Sequence, residues 1–215
     1  LADIDVTKDN NFKNFIRRRP LGVVFVIAPW NYPYLTAVNS IIPAMAAGNT
    51  VILKHSAQTP LCAEQLYQSA EKTLPKDVFN YLHLNHKDGL KIVSDSRINF
   101  VSFTGSVKAG YEVQKATHTK FIDMALELGG KDPAYARFDC DLDKTVENLV
   151  DGSFFNSGQS CCGIERIYVD EKIYDKFLES FISKTYDYNF GNPLKKETNL
   201  GPVVKLSAAE FIINQ

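Results

Sequence analysis

The stretch VVFVIA, from Val23 to Ala28, is an unbroken apolar run that ends at Pro29. A run of this kind is typical of a strand buried on both faces of a parallel sheet. Similar apolar runs follow at Thr50–Leu53, Asn99–Phe103 and Phe121–Leu128. Together they predict an α/β fold with a doubly wound parallel sheet.

Amphipathic segments with helical spacing connect these runs. They cover Ala37–Ala47, Leu61–Thr73 and Val107–Thr117. The first of them is expected to be interrupted at Pro43, because proline lacks the backbone donor that an interior helical position needs. Strand and helix therefore alternate along most of the chain, as they do in βαβ units.

The pair Gly129-Gly130 ends the last of these runs and marks the expected domain boundary. Alternation resumes beyond it, with a helix expected at Leu142–Phe155. We predict a first domain over residues 1–129 and the beginning of a second α/β domain over residues 130–215.

Composition excludes several classes of function. The 215 residues carry a formal net charge of -1 with no long run of one sign, which argues against nucleic acid and anionic membranes as partners. No apolar stretch reaches the length of a membrane span.

The four cysteines do not form a disulfide framework, so a cytoplasmic setting is expected. The four histidines share no metal-ligand spacing with the cysteines, and we expect no metal site.

One segment places a cysteine directly after a Gly-containing turn, at Asn156–Cys161. Backbone amides ordered by such a turn lower the pKa of a thiol and then hold an oxyanion formed on its substrate. Cys161 is therefore the best nucleophile candidate. The alternative is a small cysteine that only fills space, which is the commoner outcome for an isolated Cys161-Cys162 pair. Segments upstream favour the nucleophile.

Two of those segments follow apolar strands. Asn31 comes shortly after Ala28, where ligands of open α/β sheets bind, and its side-chain amide is suited to an oxyanion. An asparagine between prolines is also a common turn residue. Lys54 ends the next strand, and its ammonium group is suited to ribose hydroxyls or a phosphate. An exposed lysine at a strand end is the alternative there.

Two more segments follow later strands. Gly105 permits a tight turn, and Ser106 begins a helix whose backbone amides favour a pyrophosphate, although serine also caps helices without any ligand. Glu127 lies near the end of an apolar strand. Partial desolvation is expected to raise the pKa of its carboxyl group toward the range of a general base. An ordinary ion pair with Lys131 is the alternative.

Taken in order, these segments resemble the aldehyde dehydrogenase superfamily. The matching sequences are Pro29-Trp30-Asn31, Lys54, Phe103-Thr104-Gly105-Ser106, Glu127-Leu128-Gly129-Gly130-Lys131 and Gly158-Gln159-Ser160-Cys161. They extend over nearly the whole chain, and their order makes the resemblance specific. It implies a Rossmann-like nucleotide-binding domain followed by the start of a catalytic domain. It also implies NAD or NADP as cofactor, an aldehyde as substrate, and a homodimer or homotetramer.

The resemblance implies a role for each matching residue. Cys161 attacks the aldehyde carbon, while Asn31 and the Cys161 backbone amide hold the oxyanion. Hydride passes to the nicotinamide, and Glu127 activates the water that hydrolyses the resulting thioester. Cys161 is preferred to Cys162 because the family nucleophile stands two positions after Gly-Gln. The residues implied in cofactor binding are Ile27, Trp30, Lys54, Thr104, Gly105, Ser106 and Leu128, with Lys54 on the adenosine ribose and Ser106 on the pyrophosphate.

The sequence departs from the family pattern just after Lys54. His55 stands where the family usually has proline, and Ala57 stands where it often has glutamate. That glutamate binds the ribose 2′-hydroxyl and repels a 2′-phosphate, so Ala57 predicts that NADP is accepted as well as NAD.

The chain is also about half as long as members of the family, and its first residue is Leu1 rather than Met. We therefore expect a central portion of such an enzyme, inactive on its own. Two rival functions stay open. One is a truncated remnant without activity. The other is a cysteine hydrolase that acts without nucleotide and has no use for Lys54 or the Gly105-Ser106 turn.

Overall fold

The computed structural model describes residues 2–8 and 11–215, and it divides the chain into two compact units, Leu1–Leu128 and Gly129–Gln215. Residue 1, the expected start of the first domain, lies outside the described residues, as do residues 9 and 10. The division between the units falls one residue before the one predicted from the sequence.

The first unit is built on a five-stranded parallel sheet. A short antiparallel pair precedes it, formed by β1 (Ile4–Asp5) and β2 (Phe15–Ile16). The sheet strands are β3 (Val23–Ala28), β4 (Thr50–His55), β5 (Phe79–Tyr81), β6 (Phe100–Gly105) and β7 (Met124–Leu128). Their spatial order is β5-β4-β3-β6-β7, so the direction of winding reverses between β3 and β6. The predicted doubly wound parallel sheet is confirmed.

Four helices cover both faces of this sheet. They are α1 (Pro33–Ala46), α2 (Pro60–Glu71), α3 (His86–Ser94) and α4 (Val107–Thr117). Successive side chains of a strand point to opposite faces, so Val24 packs in one core cluster with residues of α1 and α2. Phe25 packs in a second cluster with residues of α3 and α4. Burial on both faces explains why the strands are continuously apolar.

Helix α1 differs from the sequence prediction at both ends and in its middle. It begins at Pro33 rather than Ala37, and it runs without a break through Pro43 to Ala46. Proline at the first turn of a helix sacrifices no hydrogen bond. Pro43 removes one interior bond, but the buried side chains of Ala37 and Ile41 hold the helix on the sheet and override that local cost.

The second unit contains a two-stranded parallel sheet of β8 (Asp132–Ala136) and β9 (Ile164–Val169). Its helices are α5 (Leu142–Phe154), α6 (Tyr174–Thr185) and α7 (Leu206–Ile213), with a 3₁₀ turn at Phe155–Gly158. The core lies between these strands, α5 and α6, around Val146 and Phe177. The sequence pattern did not predict β8, because Pro133 interrupts the strand signal. Proline is accepted there because β8 pairs with β9 alone among the described strands.

Candidate functional site

The carboxyl ends of the parallel strands bring the candidate residues of the first unit to one edge of the sheet. Ile27 on β3 pairs with Lys54 on β4 and with Phe103 on β6, and Thr104 on β6 pairs with Glu127 on β7. The reversal of winding between β3 and β6 opens a crevice at this edge, where open α/β sheets bind their ligands.

Lys54 is a buried cation, not the exposed strand-end lysine of the alternative interpretation. Its residue is 4% exposed, and burial lowers the pKa of its ammonium group. Among the described residues, that group donates one hydrogen bond, a long contact of 3.4 Å to the His55 carbonyl. An ammonium group carries three donors, so Lys54 retains donors for a ligand. Burial without strong partners is costly for a cation, which favours an oxygen-rich ligand beside it.

Space for the Lys54 side chain is provided by Gly89 on α3. A Cβ atom at that position would lie 3.1 Å from Cδ and 3.2 Å from Cε of Lys54. Glycine is disfavoured inside a helix, so its presence on α3 matches a need for close approach. Sequence reasoning missed this residue, although an interior helical glycine was the available signal.

The start of α4 presents the second polar feature of this edge. Ser106 occupies the N-cap, and its Oγ accepts a hydrogen bond of 3.3 Å from the Ala109 amide. A Cβ atom on Gly105 would lie 2.7 Å from Cζ of Phe103, so any larger residue at this position would have to displace that buried ring. The remaining amides of the first turn and the helix dipole together favour an anion such as a phosphate.

A cavity of about 300 Å³ joins these features. Three of the predicted cofactor residues line it, namely Ile27, Lys54 and Ser106. Trp30, Thr104, Gly105 and Leu128 are not among its lining residues. The walls that the sequence reasoning missed come from α3, α4 and the end of β6, through His86, Gly89, Leu90, Phe103, Lys108, Ala109, Glu112 and Val113. Apolar walls with a buried cation and a helix N-terminus are suited to an adenosine with its phosphates.

The turn that carries Asn31 lies directly before α1. Asn31 is partly buried, and Trp30 and Tyr32 on either side of it are also partly buried. The Tyr32 carbonyl accepts two hydrogen bonds from Thr36, 3.0 Å from the backbone amide and 2.7 Å from Oγ1. These bonds anchor the end of the turn to the first turn of the helix.

The expectation that Glu127 is partly desolvated is wrong for the described chain. The residue is exposed, as is Ala125 on the same face of β7. Met124, Leu126 and Leu128 on the other face of β7 pack in the cluster with α3 and α4. Glu127 faces the opposite side of the sheet, where α1 and α2 pack mainly on β3, β4 and β5, and its side chain is therefore left exposed. Lys131, the expected alternative partner, pairs with Glu165 in the second unit.

The cysteine turn of the second unit has an unusual backbone. Asn156, Ser157 and Gly158 all adopt left-handed conformations, with φ angles of 51°, 59° and 69°. Two consecutive non-glycine residues in this region carry strain, which is held where surrounding contacts over-determine the backbone. Here Ser157 Oγ donates to the Gly201 carbonyl at 2.6 Å, which ties the turn to a segment far along the chain.

The side chain of Gln159 forms a second set of hydrogen bonds that fix this turn. Its Nε2 donates to the Asn156 carbonyl at 3.0 Å, and its Oε1 accepts from the Val204 amide at 2.8 Å. Both atoms of one amide group are therefore used to fix the backbone immediately before Cys161. The strained turn is thereby held in one shape.

Cys161 is exposed, as a nucleophile must be, but the pKa prediction was wrong in direction. Partial desolvation of the sulfur raises the pKa of Cys161 above its usual value, and the neighbouring Cys162 raises it further. Backbone amides of both cysteines act in the opposite direction, as the turn predicted, but they do not outweigh burial. The sequence indicated the backbone amides of the turn, but it could not indicate how far the Cys161 sulfur is desolvated.

Within residues 2–8 and 11–215, no group of three or more His, Cys, Asp or Glu side chains is placed to hold a metal ion. No helix of that same part combines the length and hydropathy that a membrane span requires.

Comparison with known proteins places this geometry among related folds. The model of the aldehyde dehydrogenase family matches residues 2–215. Lactaldehyde dehydrogenase of Methanocaldococcus jannaschii is 39% identical over 204 residues, which cover 92% of this chain and 44% of that protein. The chain therefore spans less than half the length of this relative.

Two solved structures are similar throughout the fold. One is glyceraldehyde-3-phosphate dehydrogenase GapN from Methanocaldococcus jannaschii, complexed with NADP, with 36% identity and a TM-score of 0.93. The alignment covers 99% of this chain and 47% of the GapN chain. The other is an NAD-dependent aldehyde dehydrogenase from Sinorhizobium meliloti, with 31% identity, a TM-score of 0.89, and coverage of 91% of this chain and 39% of its own.

Proposed function

The chain belongs to the aldehyde dehydrogenase family, and from that membership we propose that the protein oxidises an aldehyde to a carboxylic acid with NAD or NADP. The observation that carries the proposal is the cavity of about 300 Å³ beside the buried Lys54 and the start of α4. A hydrolase that uses only a thiol has no need of such a cavity, so the nucleotide-dependent reaction is favoured over that rival.

The residues present fit a dinucleotide. Lys54 would direct its remaining donors to the hydroxyls of the adenosine ribose, and the α4 amides near Gly105 and Ser106 would hold the pyrophosphate. Ile27 contributes an apolar wall. We assign Trp30, Thr104 and Leu128 to the same binding role, further along the sheet edge. When bound, the nicotinamide supplies the hydride acceptor of the reaction.

The chain itself supplies the nucleophile and its support. The Cys161 thiolate forms a bond to the aldehyde carbon, and the carbonyl electron pair moves to oxygen. Asn31 and the Cys161 amide stabilise that oxyanion. After loss of hydride, the carbon is held as a thioester on Cys161. Glu127 then takes a proton from water, the water oxygen attacks the thioester carbon, and Cys161 leaves as thiolate.

The assignment extends to the organisation of the protein. We propose residues 1–129 as a nucleotide-binding domain and residues 130–215 as the start of a catalytic domain. We further propose a homodimer or homotetramer in the cytoplasm. The four free cysteines support the reducing compartment.

The direct test is aldehyde oxidation by the product of the complete reading frame that contains these residues. We expect reduced nicotinamide to form in proportion to the carboxylic acid, and no product without NAD or NADP. Hydrolysis of an ester at the same rate with and without nucleotide, and no aldehyde oxidation, would favour the hydrolase. Correctly folded protein with neither activity would favour the inactive remnant.

Cofactor choice gives a further prediction. Ala57 is exposed in the turn after β4, two residues beyond His55, and it presents no carboxylate. We expect NADP to be used with a kcat/KM within ~100-fold of that for NAD, because one charge repulsion changes binding by only a few kcal/mol. Ala57→Glu should shift the ratio toward NAD by about tenfold or more.

The matched control is Gln58→Glu, which adds the same charge to the neighbouring exposed residue of the same turn. Steady-state kinetics with both cofactors should show the larger shift at position 57. A wild-type enzyme confined to NAD, together with an unchanged ratio in Ala57→Glu, contradicts this assignment.

A further inference from the structure

His55 is a buried residue whose two ring nitrogens both form hydrogen bonds. It is the last residue of β4 and is 3% exposed. Its Nε2 lies 2.8 Å from the Pro33 carbonyl oxygen, and its Nδ1 lies 3.1 Å from Thr59 Oγ1. A carbonyl only accepts, so Nε2 carries a proton, and in the neutral ring Nδ1 then accepts from the threonine hydroxyl. One neutral tautomer therefore satisfies both contacts.

These two contacts join three elements at the edge of the sheet. Pro33 is the first residue of α1 and follows the turn of Trp30, Asn31 and Tyr32 directly. Thr59 precedes α2 and makes no side-chain cap for that helix, since its hydroxyl serves His55 instead. A side-chain cap at this position would stabilise the start of α2, so the Thr59 hydroxyl bonds the histidine ring at the expense of the local helix end.

The backbone of His55 has a separate partner. Its carbonyl oxygen accepts the one hydrogen bond that the Lys54 ammonium donates within the described part of the chain, at 3.4 Å. The ring thus bonds the beginning of α1, while the backbone carbonyl bonds the ammonium group of Lys54, which lines the cavity. A substitution that removes the ring leaves the backbone carbonyl in place, so the two actions are separable by experiment.

We propose that His55 is a positioning residue that tethers the Trp30–Tyr32 turn to the end of β4 and so holds Asn31 in the geometry needed to stabilise an oxyanion. The role of Asn31 rests on the proposed function. The tether itself rests only on the two ring contacts and the burial of the ring. Displacement of a catalytic group by about 1 Å costs on the order of 10²-fold in rate, so a tether at this point has a large effect on turnover.

Trp30 gives a direct readout, because it is the single tryptophan of the chain and lies inside the tethered turn. Quenching of its fluorescence by acrylamide should increase about twofold or more in His55→Ala. His55→Gln retains an N–H that reaches the Pro33 carbonyl, and it should restore quenching close to that of the original protein. His83→Ala is the control, because His83 is exposed and bonds Glu64 instead.

Thr59→Val provides a second route if His55→Ala fails to fold. It removes the hydroxyl that bonds Nδ1 while nearly preserving side-chain volume, and it should raise Trp30 quenching in the same direction. Circular dichroism and thermal unfolding establish that each compared variant is folded. Unchanged quenching in folded His55→Ala, or in Thr59→Val where the first does not fold, overturns the tether.

Kinetics of the complete product separate positioning from general destabilisation. His55→Ala should lower kcat about tenfold or more while the KM for nucleotide changes by less than about twofold, because the carbonyl beside Lys54 is retained. A raised nucleotide KM with unchanged kcat overturns the positioning role. Absence of nucleotide-dependent turnover in the original protein counts against the proposed function instead, and the quenching comparison still decides the tether.

Discussion

Cys161→Ala is expected to reduce aldehyde oxidation by the product of the complete reading frame to the background rate. The sulfur forms the bond that holds the substrate through hydride loss and hydrolysis, and no later step can begin without it. Steady-state formation of reduced nicotinamide measures the loss. Binding of NAD or NADP should be retained, because the cavity is formed entirely by residues of the first unit.

Cys162→Ala is the matched control, since Cys162 is also exposed and adjoins Cys161 in sequence. Its sulfur lies 3.3 Å from Ser160 Oγ, so it has a hydrogen-bonding partner of its own. We expect most of the activity to survive this change. Equal loss from both substitutions, or loss only from Cys162→Ala, would reassign the nucleophile.

The pH dependence of alkylation provides an independent check on Cys161. Its pKa lies above the usual value because burial and Cys162 disfavour the thiolate. The thiolate is the reactive form, so alkylation by iodoacetamide should be slow at neutral pH and accelerate as pH rises toward that raised pKa. Cys162→Ala removes one of the raising influences and should move the midpoint to lower pH. A midpoint that stays fixed in Cys162→Ala would contradict the coupling between the two thiols.

The fold was predictable because its strands are signalled twice, by apolar continuity and by the turn residues that end them. Val23–Ala28 is the clearest case, and the structure gives it the same bounds. Segments with weaker internal signals were missed. β8 contains Pro133, which weakens the strand pattern. α7 has no side-chain cap at Lys205 that would indicate where the helix begins. Tertiary contacts decide such segments, and a single sequence does not display them.

Site residues could be predicted from the sequence where their residue type is rare at that position. Their desolvation, pKa and hydrogen bonds could not be predicted, because these depend on the surrounding structure. The sequence showed turn amides beside Cys161 but gave no measure of desolvation, so the direction of its pKa was wrong. His55 was visible only as a departure from a family pattern. Its bonds to Pro33 and Thr59 depend on three elements meeting in space.

Glu127→Gln is expected to slow hydrolysis of the thioester by ~10²–10⁴-fold, the usual loss when a general base is removed. Glutamine is nearly isosteric with glutamate but cannot accept a proton from water. Formation of the thioester should be affected much less, because that step does not use Glu127. The variant should therefore show a rapid burst of reduced nicotinamide, followed by a slow steady rate.

The position of Glu127 makes this a demanding prediction. The residue is exposed on the edge strand β7 of the described chain, so proton transfer relies on its place at the carboxyl edge of the sheet, opposite Thr104 of β6.

Glu71→Gln is the matched control. Glu71 is an exposed carboxylate at the end of α2, the helix that packs by β5 at the opposite edge of the sheet. That change should leave both phases intact. Acid-quench measurements that find the thioester of Glu127→Gln decaying at the original rate would remove Glu127 from the mechanism, and water would then need another base among the residues near Cys161.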